Sequence, residues 1–318
     1  MKRLFTCILV SLIMMSFPVA KSETNETFAV PNESPDMVTG DYFKYALNMD
    51  GAWESMEDET IKKVQENSNS GMLFEYAGES CLQTGWVSCE IMVMSYEVNL
   101  SITYQEDVGV DNDEGTMTMK YEATSVRSGN NLHGTTVTSI NQWFSVDNES
   151  YHSEMISTEI SISESDDNSE PEMINVGDTW MIEENVETIT NQKSRINGES
   201  WEHEDEIVEN STITSNYNAE NIANVITTEG EFKTMKIKEM ESGSSESSYE
   251  YVDENGLPVK LEYYEDSKLV MIATLSDYSL TNEPADIEEK DNSLLPGFTL
   301  VMTSIALVAS FILTYRKN

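Results

Sequence analysis

The sequence predicts a mainly β protein of the β-rich α+β class, built as two tandem, curved antiparallel sheet domains. Two observations lead to this prediction. Apolar and polar side chains alternate along several segments, which is typical of strands with one buried and one solvated face. A short phrase containing Gly-Asp also occurs once in each half of the chain. With 318 residues, the chain is long enough for two ordinary domains.

Three segments show the alternation most clearly. Apolar residues, with a single Thr among them, occupy every second position from Tyr96 to Tyr104, from Met117 to Ala123 and from Ile156 to Ile162. We expect each segment to be a strand whose apolar side is buried. A helical period appears only from Trp53 to Val64, where it predicts one short helix.

The repeated phrase divides the chain into two copies of one β-rich unit. It reads Val-Thr-Gly-Asp-Tyr-Phe from Val38 and Asn-Val-Gly-Asp-Thr-Trp from Asn175. The predicted first domain covers residues 38–162 and the second covers residues 175–281. An acidic, Ser-rich linker with one Pro at residues 163–174 separates them. A second phrase, which starts at Trp143 and again at Tyr249, supports the same division.

Both ends of the chain predict export and anchoring. Residues 1–20 combine a basic start, an apolar run and a small residue at the cleavage site, which indicates a secretory signal peptide followed by a polar segment at 21–37. After an acidic linker at 282–293, residues 294–318 contain an apolar stretch long enough to span a bilayer. The basic residues that follow this stretch place the C-terminus in the cytoplasm and the body of the protein outside the cell membrane.

The C-terminal segment also resembles a known sorting signal. Pro296, Gly297 and Phe298 directly precede the apolar stretch and the basic tail. This order is similar to the signal of archaeal cell-surface proteins. The resemblance implies an archaeosortase-type enzyme that removes the helix and attaches a lipid anchor, whereas the N-terminal signal peptide predicts a signal peptidase as a second processing partner. Retention of the helix is the alternative.

A second resemblance concerns the second domain. Its Gly-Asp-Thr-Trp opening at 177–180, its Gly-Glu-Phe-Lys-Thr-Met-Lys-Ile strand at 230–237 and its Gly-Leu-Pro-Val-Lys turn at 256–260 resemble the LolA/LppX-like extracytoplasmic half-barrels. The resemblance implies a strongly curved antiparallel sheet whose concave face holds apolar material. No residue set serves catalysis in that family, so none is transferred to this chain.

The composition is strongly acidic. The chain has 58 Asp and Glu residues against 18 Lys and Arg, with a formal net charge of −40. Nucleic-acid binding is excluded as a function, because it draws its affinity from basic groups that neutralise phosphate. An anionic membrane surface is an equally poor partner. The charge instead predicts a solvated, salt-screened coat on a protein outside the cell.

Export also makes disulfide formation and N-glycosylation possible. We expect Cys81 and Cys89 to form a disulfide across a hairpin loop, with a redox pair or metal ligands as the alternative. The glycosylation candidates are the asparagines that begin an Asn-x-Ser/Thr sequon, namely Asn25, Asn32, Asn99, Asn148 and Asn210.

A crowded acidic loop is the best candidate for a metal site. Asp107, Asp111, Asp113 and Glu114 offer the oxygen ligands that calcium prefers, although the loop does not match the EF-hand pattern. Diffuse binding of cations to the acidic surface is the alternative. The segment from Glu202 to Glu206 contains a His among acids, and we interpret it as a solvated edge. The sequence singles out no catalytic or cofactor-binding residue.

The sequence therefore predicts a non-enzymatic, membrane-anchored cell-surface glycoprotein with a structural or binding role in the envelope. A carrier or sensor of lipid or another hydrophobic ligand, held in a half-barrel cavity, is the alternative. An extracellular hydrolase with an unrecognised site is a third hypothesis.

Overall fold

The computed structural model describes residues 28–281, with gaps at residues 32–34, 36, 58–60, 68–70, 79–89, 106–113, 129–130, 147–148, 166–170 and 205. The predicted signal peptide, the acidic linker after residue 281 and the C-terminal span lie outside the described residues. Within the described part, no helix has the length and apolarity needed to cross a membrane.

The described chain is mainly β, as predicted, and twelve of its strands form a closed antiparallel barrel. The first half of the chain supplies six strands: β2 (Tyr42–Asn48), β4 (Gly71–Gly78), β5 (Glu90–Tyr104), β6 (Glu114–Ser128), β7 (Asn131–Val146) and β8 (Glu149–Ser165). The second half supplies the other six: β10 (Thr179–Ile196), β12 (Ile207–Thr227), β13 (Gly230–Glu241), β14 (Ser247–Asp253), β15 (Pro258–Glu265) and β16 (Lys268–Ser279).

The barrel closes where the two halves meet. β8 pairs with β10, and β16 pairs with β2, so the last strand of each half is bonded to the first strand of the other. The antiparallel sheet was predicted correctly, but the prediction of two tandem sheet domains is wrong. Each half alone would leave two unpaired edge strands, and closure into one barrel removes all four. The end of β8 lies within the predicted linker at 163–174.

Five short elements accompany the barrel. They are β1 (Ala29–Pro31), α1 (Asp50–Ser55), β3 (Ile61–Glu66), β9 (Met173–Asn175) and β11 (Glu202–His203). β1 pairs with β9, β3 pairs with the end of β5, and β11 pairs with β10. The predicted helix is present at Trp53 but ends before Ile61. Pairing of β3 with β5 gives that segment a strand conformation, so tertiary context overrides the local helical period.

The repeated Gly-Asp phrase forms the same turn in both halves. The backbone N–H of Val38 donates to Oδ2 of Asp41 at 2.8 Å, and that of Asn175 donates to Oδ2 of Asp178 at 2.7 Å. The preceding glycine has φ +94° in both turns, a left-handed conformation that favours glycine. Each turn leads into the first barrel strand of its half. The second repeated phrase does not lie on equivalent strands. In the first half it lies at the end of β7, the fifth barrel strand of that half, and in the second half at the end of β14, which is the fourth.

One part of the barrel, formed by β2, β4–β6 and β14–β16, is filled with apolar side chains. We call it the filled half. Both β5 and β6 bury the apolar side that the alternation predicts. The most deeply buried inner side chains are Tyr45, Met72, Leu100, Ile102, Met119, Tyr121, Leu261, Met271 and Leu275. Their packing defines the inner face of the barrel.

The strand β8 presents the opposite side from the one expected. Cross-strand partners share a face of the sheet, and Tyr121 of the inner face pairs with Thr138, which pairs with Ser157. Ser157 and the residues in step with it therefore point inward. The apolar residues Ile160 and Ile162 point outward, and Ile162 is 39% exposed. The predicted strand is present, but the prediction that its apolar side is buried is wrong.

Candidate functional site

The inner face of β8, β10 and β12 forms a polar wall opposite the filled half. The register places on one face a set of mainly polar side chains, Ser157, Glu159, Ser161, Glu184, Thr188, Thr190 and Gln192, with Ile182, Val186 and Ile213 among them. All of these side chains are partly accessible. Beside the wall, Val30 and Ile174 of the β1–β9 pair pack on Trp180 and Met235 in a second, smaller core. The inner polar wall is therefore the accessible part of the described barrel lining.

A partly buried carboxylate borders this wall. Glu239 accepts a hydrogen bond from the Tyr217 hydroxyl at 3.0 Å on Oε1 and one from Ser248 at 3.2 Å on Oε2. The Tyr217 ring stacks on Trp180 with centroids 5.1 Å apart, which fixes the donor. Burial raises the pKa of Glu239 above its usual value, although these hydrogen bonds oppose the rise.

Three further inner glutamates have raised pKa values. Burial, with a smaller contribution from Glu239, raises the pKa of Glu250 to about 8. Burial alone raises the pKa of Glu159 to about 7. Burial and then Glu239 raise the pKa of Glu184, against the opposing charge of Arg127. Glu159 and Glu250 therefore exchange protons near neutral pH. Within the described residues, no group of three or more acidic, His or Cys side chains is arranged to hold a metal ion.

The outer face of β7, β8 and β10 carries an aromatic pair and an ion pair in adjacent rows. Trp143 lies opposite His152, and their rings stack with centroids 4.6 Å apart and planes 5° from parallel. In the next row, Arg195 donates to both oxygens of Glu154, with Nη2 2.9 Å from Oε1. These hydrogen bonds lower the pKa of Glu154 and keep it ionised.

Trp201 extends this surface beyond the barrel strands, in the segment between β10 and β11. The guanidinium carbon of Arg195 lies 4.4 Å from the centroid of the Trp201 ring, and Nζ of Lys193 lies 4.8 Å from it. We name the set of Trp143, His152, Glu154, Arg195 and Trp201 the outer aromatic face. Strand pairing, ring stacking, charge-assisted hydrogen bonds and cation–π contacts hold its members in place.

The structure describes some of the residues that the sequence singled out. Glu114 begins β6, whereas its predicted calcium-site partners Asp107, Asp111 and Asp113 lie outside the described residues. Cys81, Cys89, the sequons at Asn25, Asn32 and Asn148, and the sorting motif Pro296, Gly297 and Phe298 also lie outside them. Asn99 in β5 and Asn210 in β12 are described. The described residues between Glu202 and Glu206 are exposed, in agreement with a solvated edge.

Sequence reasoning missed both the inner glutamates and the outer aromatic face. The glutamates are not distinguishable among 58 acidic residues without knowing which sheet face each occupies. The aromatic pair did leave a signal. Only two residues separate β7 from β8, so a tight hairpin places Trp143 opposite His152.

Comparisons with known proteins add little to this picture. No family model matches the chain, and no curated protein matches it. One solved structure with a similar course of the chain is a β-barrel-like protein of the domain of unknown function DUF1849 from Brucella abortus. It is 9% identical, has a TM-score of 0.42, and the match covers 78% of this chain and 100% of that one. The function is therefore argued from this chain's own residues.

Proposed function

We propose that the protein is a non-enzymatic cell-surface protein that binds a component of the cell envelope. It is held on the outer face of the membrane by its C-terminal segment, or by a lipid that replaces that segment. The export and anchoring patterns at the two ends and the strongly acidic composition support this proposal.

The observation that carries the binding role is the exposure of Trp143. Its side chain is 42% exposed although it is large and apolar. It is also held rigid by the stack on His152, so little conformational entropy is lost when a partner covers it. Aromatic side chains fixed in this way are common anchors of binding sites.

Retention on the envelope tests this role. The full chain is kept in detergent so that its anchor does not insert into membrane. It is added to washed, lipid-extracted envelopes of the cells that produce it, and the bound fraction is measured. We expect Trp143→Ala combined with Trp201→Ala to lower retention at least about tenfold, a loss of about 1.4 kcal/mol. Ile226→Ala, which removes another exposed apolar side chain (79% exposed), is the matched control. Equal retention of the parent chain, the double tryptophan variant and Ile226→Ala would refute the binding role.

The anchor needs a separate test. Mass spectrometry of the membrane-extracted protein distinguishes a chain that ends at Asn318 from a processed chain that carries lipid. Recovery of the protein only in the soluble fraction would contradict anchoring in either form.

Carriage of a hydrophobic ligand is less well supported than surface binding. The filled half of the barrel is occupied by its own side chains, and the accessible wall is mainly polar. A lipid would have to desolvate hydroxyl and carboxyl groups there, which is unfavourable. Native mass spectrometry that repeatedly finds bound lipid would reverse this preference.

A further inference from the structure

The outward-facing isoleucines of β8 belong to an apolar patch on the outer face of four neighbouring strands. The register aligns Val208 of β12, Ile189 of β10 and Ile160 of β8 in one row across the sheet. We call the following set the outer apolar patch: Val137, Ile156, Ile160, Ile162, Ile189 and Val208. Neither hydrophobic core of the described chain includes these side chains, and Ile162 and Val208 are 39% and 52% exposed. The patch is therefore open to a partner.

The patch carries one acidic and one basic group in a chain whose formal net charge is −40. Along β10 its rows run from Glu187 at one end to Lys193 at the other. Lys193 also pairs with His203 of β11. His133 lies in the row of Glu187, and burial lowers the pKa of His133, which keeps that ring neutral at pH 7. The described rows of the patch on β7, β8 and β10 thus carry no net charge.

Further charged groups border the patch on both sides. On β6, Lys120 and Glu122 continue two of its rows. On the opposite side, Glu206 accepts a hydrogen bond from the amide of Asn191 at 3.3 Å. Two copies of a strongly acidic chain repel each other. They can approach without net repulsion where the facing surfaces are neutral, as they are on the patch.

The patch is self-complementary about a twofold axis. Lys193 is in the row of Ile156, and Glu187 is in the row of Ile162, so the two rows are equally far from a common midpoint. A twofold axis that crosses the strands at this midpoint, in the plane between two copies, reverses the strand direction of the second copy. It brings Lys193 opposite Glu187 and Ile156 opposite Ile162, and each contact occurs twice.

We propose that the outer apolar patch is the interface of a homodimer, in which two copies pack these sheets face to face. Four strands about 4.8 Å apart and four rows about 6.7 Å apart give roughly 500 Å² per copy. The total of about 1,000 Å² is at the lower limit of specific interfaces. The dimer is therefore weak, with a Kd on the order of micromolar.

The order of the charges selects a second copy as the occupant. A lipid would leave both Glu187 and Lys193 unmatched. A basic partner would match Glu187 but would be repelled by Lys193, and an acidic partner would meet the reverse. A partner with the two opposite charges in reversed order matches both ends, and a copy related by the twofold axis has this order by symmetry.

The proposed dimer is independent of the proposed binding function. Trp143 lies outside the patch, two rows or about 13 Å beyond Ser139 on β7. In the intervening row, the twofold axis places Glu164 opposite the ion pair of Glu154 and Arg195. The guanidinium of that pair offsets the added carboxylate, so this contact does not oppose the dimer.

Charge reversal tests the pairing. The full chain is produced without N-glycans, because Asn210 begins a sequon at the edge of the patch. Its association is measured in detergent by sedimentation velocity. We expect Lys193→Glu and Glu187→Lys each to weaken dimerisation at least about tenfold, since each change places like charges opposite each other. Glu183→Lys, which lies on the same face of β10 but beyond the patch, is the control and leaves dimerisation unchanged.

Two combinations separate the twofold dimer from every other partner. The double variant with both reversals should dimerise as tightly as the parent chain. An equimolar mixture of the two single variants should form heterodimers, because both contacts are then between opposite charges. Failure of both combinations to restore association would overturn the proposal.

Two further results would also contradict the dimer. One is a parent chain that stays monomeric up to about 100 µM. The other is a dimer that neither reversal weakens, which would place the contact in the C-terminal segment or on another surface. Envelope retention that depends on Trp143 and Trp201 is measured separately, so the proposed binding function would stand in either case.

Discussion

The filled half of the barrel and the part that carries the inner polar wall, β8, β10 and β12, which we call the polar half, are both built of long antiparallel strands. They differ in the side chains that they turn toward the inside of the barrel. In β5 and β6 the apolar side faces inward and packs against neighbouring strands. In β8 and β10 the inner side carries mainly Ser, Thr, Gln and Glu, with Ile182 and Val186 among them, and isoleucines such as Ile162 face outward. We infer that stability is concentrated in the filled half, whereas the proposed binding surface lies on the outer side of the polar half.

The largest expected difference between the halves is in the cost of a truncated inner side chain. Leu261 is 1% exposed in the filled half, and Leu261→Ala should lower the free energy of unfolding by about 2–5 kcal/mol through lost burial and a cavity. Ile213 lies on the partly accessible wall, and Ile213→Ala should cost under about 1 kcal/mol. Chemical denaturation measures both. Equal costs would mean that the polar half is packed as tightly as the filled half.

The Gly-Asp turn occurs in both halves of the chain, so the cost of removing its Asp can be compared at equivalent positions. Asp41 is 1% exposed and also accepts from the N–H and hydroxyl of Thr281, at 2.9 and 2.6 Å. Burial alone would raise the pKa of Asp41, but the hydrogen bonds from Thr281 and Val38 hold the pKa below its usual value. Asp41→Ala should therefore cost about 2–3 kcal/mol, because charge-assisted bonds are lost and buried donors lose their acceptor.

The matched change in the other half is Asp178→Ala. Asp178 accepts only from Asn175 in the bonds described here, and it is partly exposed. We expect a cost of about 1 kcal/mol, measured in the same denaturation series. A larger loss at Asp178 than at Asp41 would contradict the view that the filled half dominates stability.

The pH dependence of stability tests the inner glutamates. Glu250 has a folded pKa of about 8, above its value in the unfolded chain. Its contribution to stability is therefore fully present below about pH 4.5 and is lost as the pH rises through about 8. Glu250→Gln stays neutral, so it should flatten the fall in stability between pH 5 and 9 by on the order of 2 kcal/mol.

Thermal melts across this pH range give the measurement. Glu183→Gln is the control. This substitution removes the same formal charge, but Glu183 is exposed on the outer side of β10. If both variants change the pH dependence alike, general charge repulsion rather than burial of Glu250 sets it.

The smallest expected effect on stability is that of Trp143→Ala. Because the ring lies on the outer face and is 42% exposed, its removal should cost under about 1 kcal/mol. Denaturant melts of the variant provide the check. A cost comparable to that of Leu261→Ala would make Trp143 a packing residue and would weaken its assignment to binding.

The buried side of a strand was predicted correctly where its apolar residues lie beside apolar residues of the neighbouring strands. Tyr96 to Tyr104 alternates with polar residues, lies beside equally apolar strands, and is buried as expected. The segment around Ile160 alternates just as clearly, yet its neighbours Thr135 and Ile189 place it on the outer face. Alternation identifies a strand but not which of its sides is inside, because that depends on the strands it pairs with.

The same limit applies to the sites. The sequons, the cysteine pair and the acidic loop could be proposed from the sequence because each is a local pattern, and they stay predictions. The partners of Glu239 come from two different strands, and those of Trp143 and Arg195 come from β8. Such sites are assembled by register, and no local pattern encodes the full set.

By itself, the sequence determined that the chain is mainly β and that each half begins with a Gly-Asp turn. These properties follow from side-chain periodicity and from backbone conformations that act over a few residues. Only the tertiary structure decided that the two halves form one barrel, that β8 turns its polar side inward, and that Trp143 lies on an accessible face. The reason is physical: each of these outcomes depends on hydrogen bonds and packing between residues far apart in the chain, where pairing all the edges outweighs the preference of any one strand.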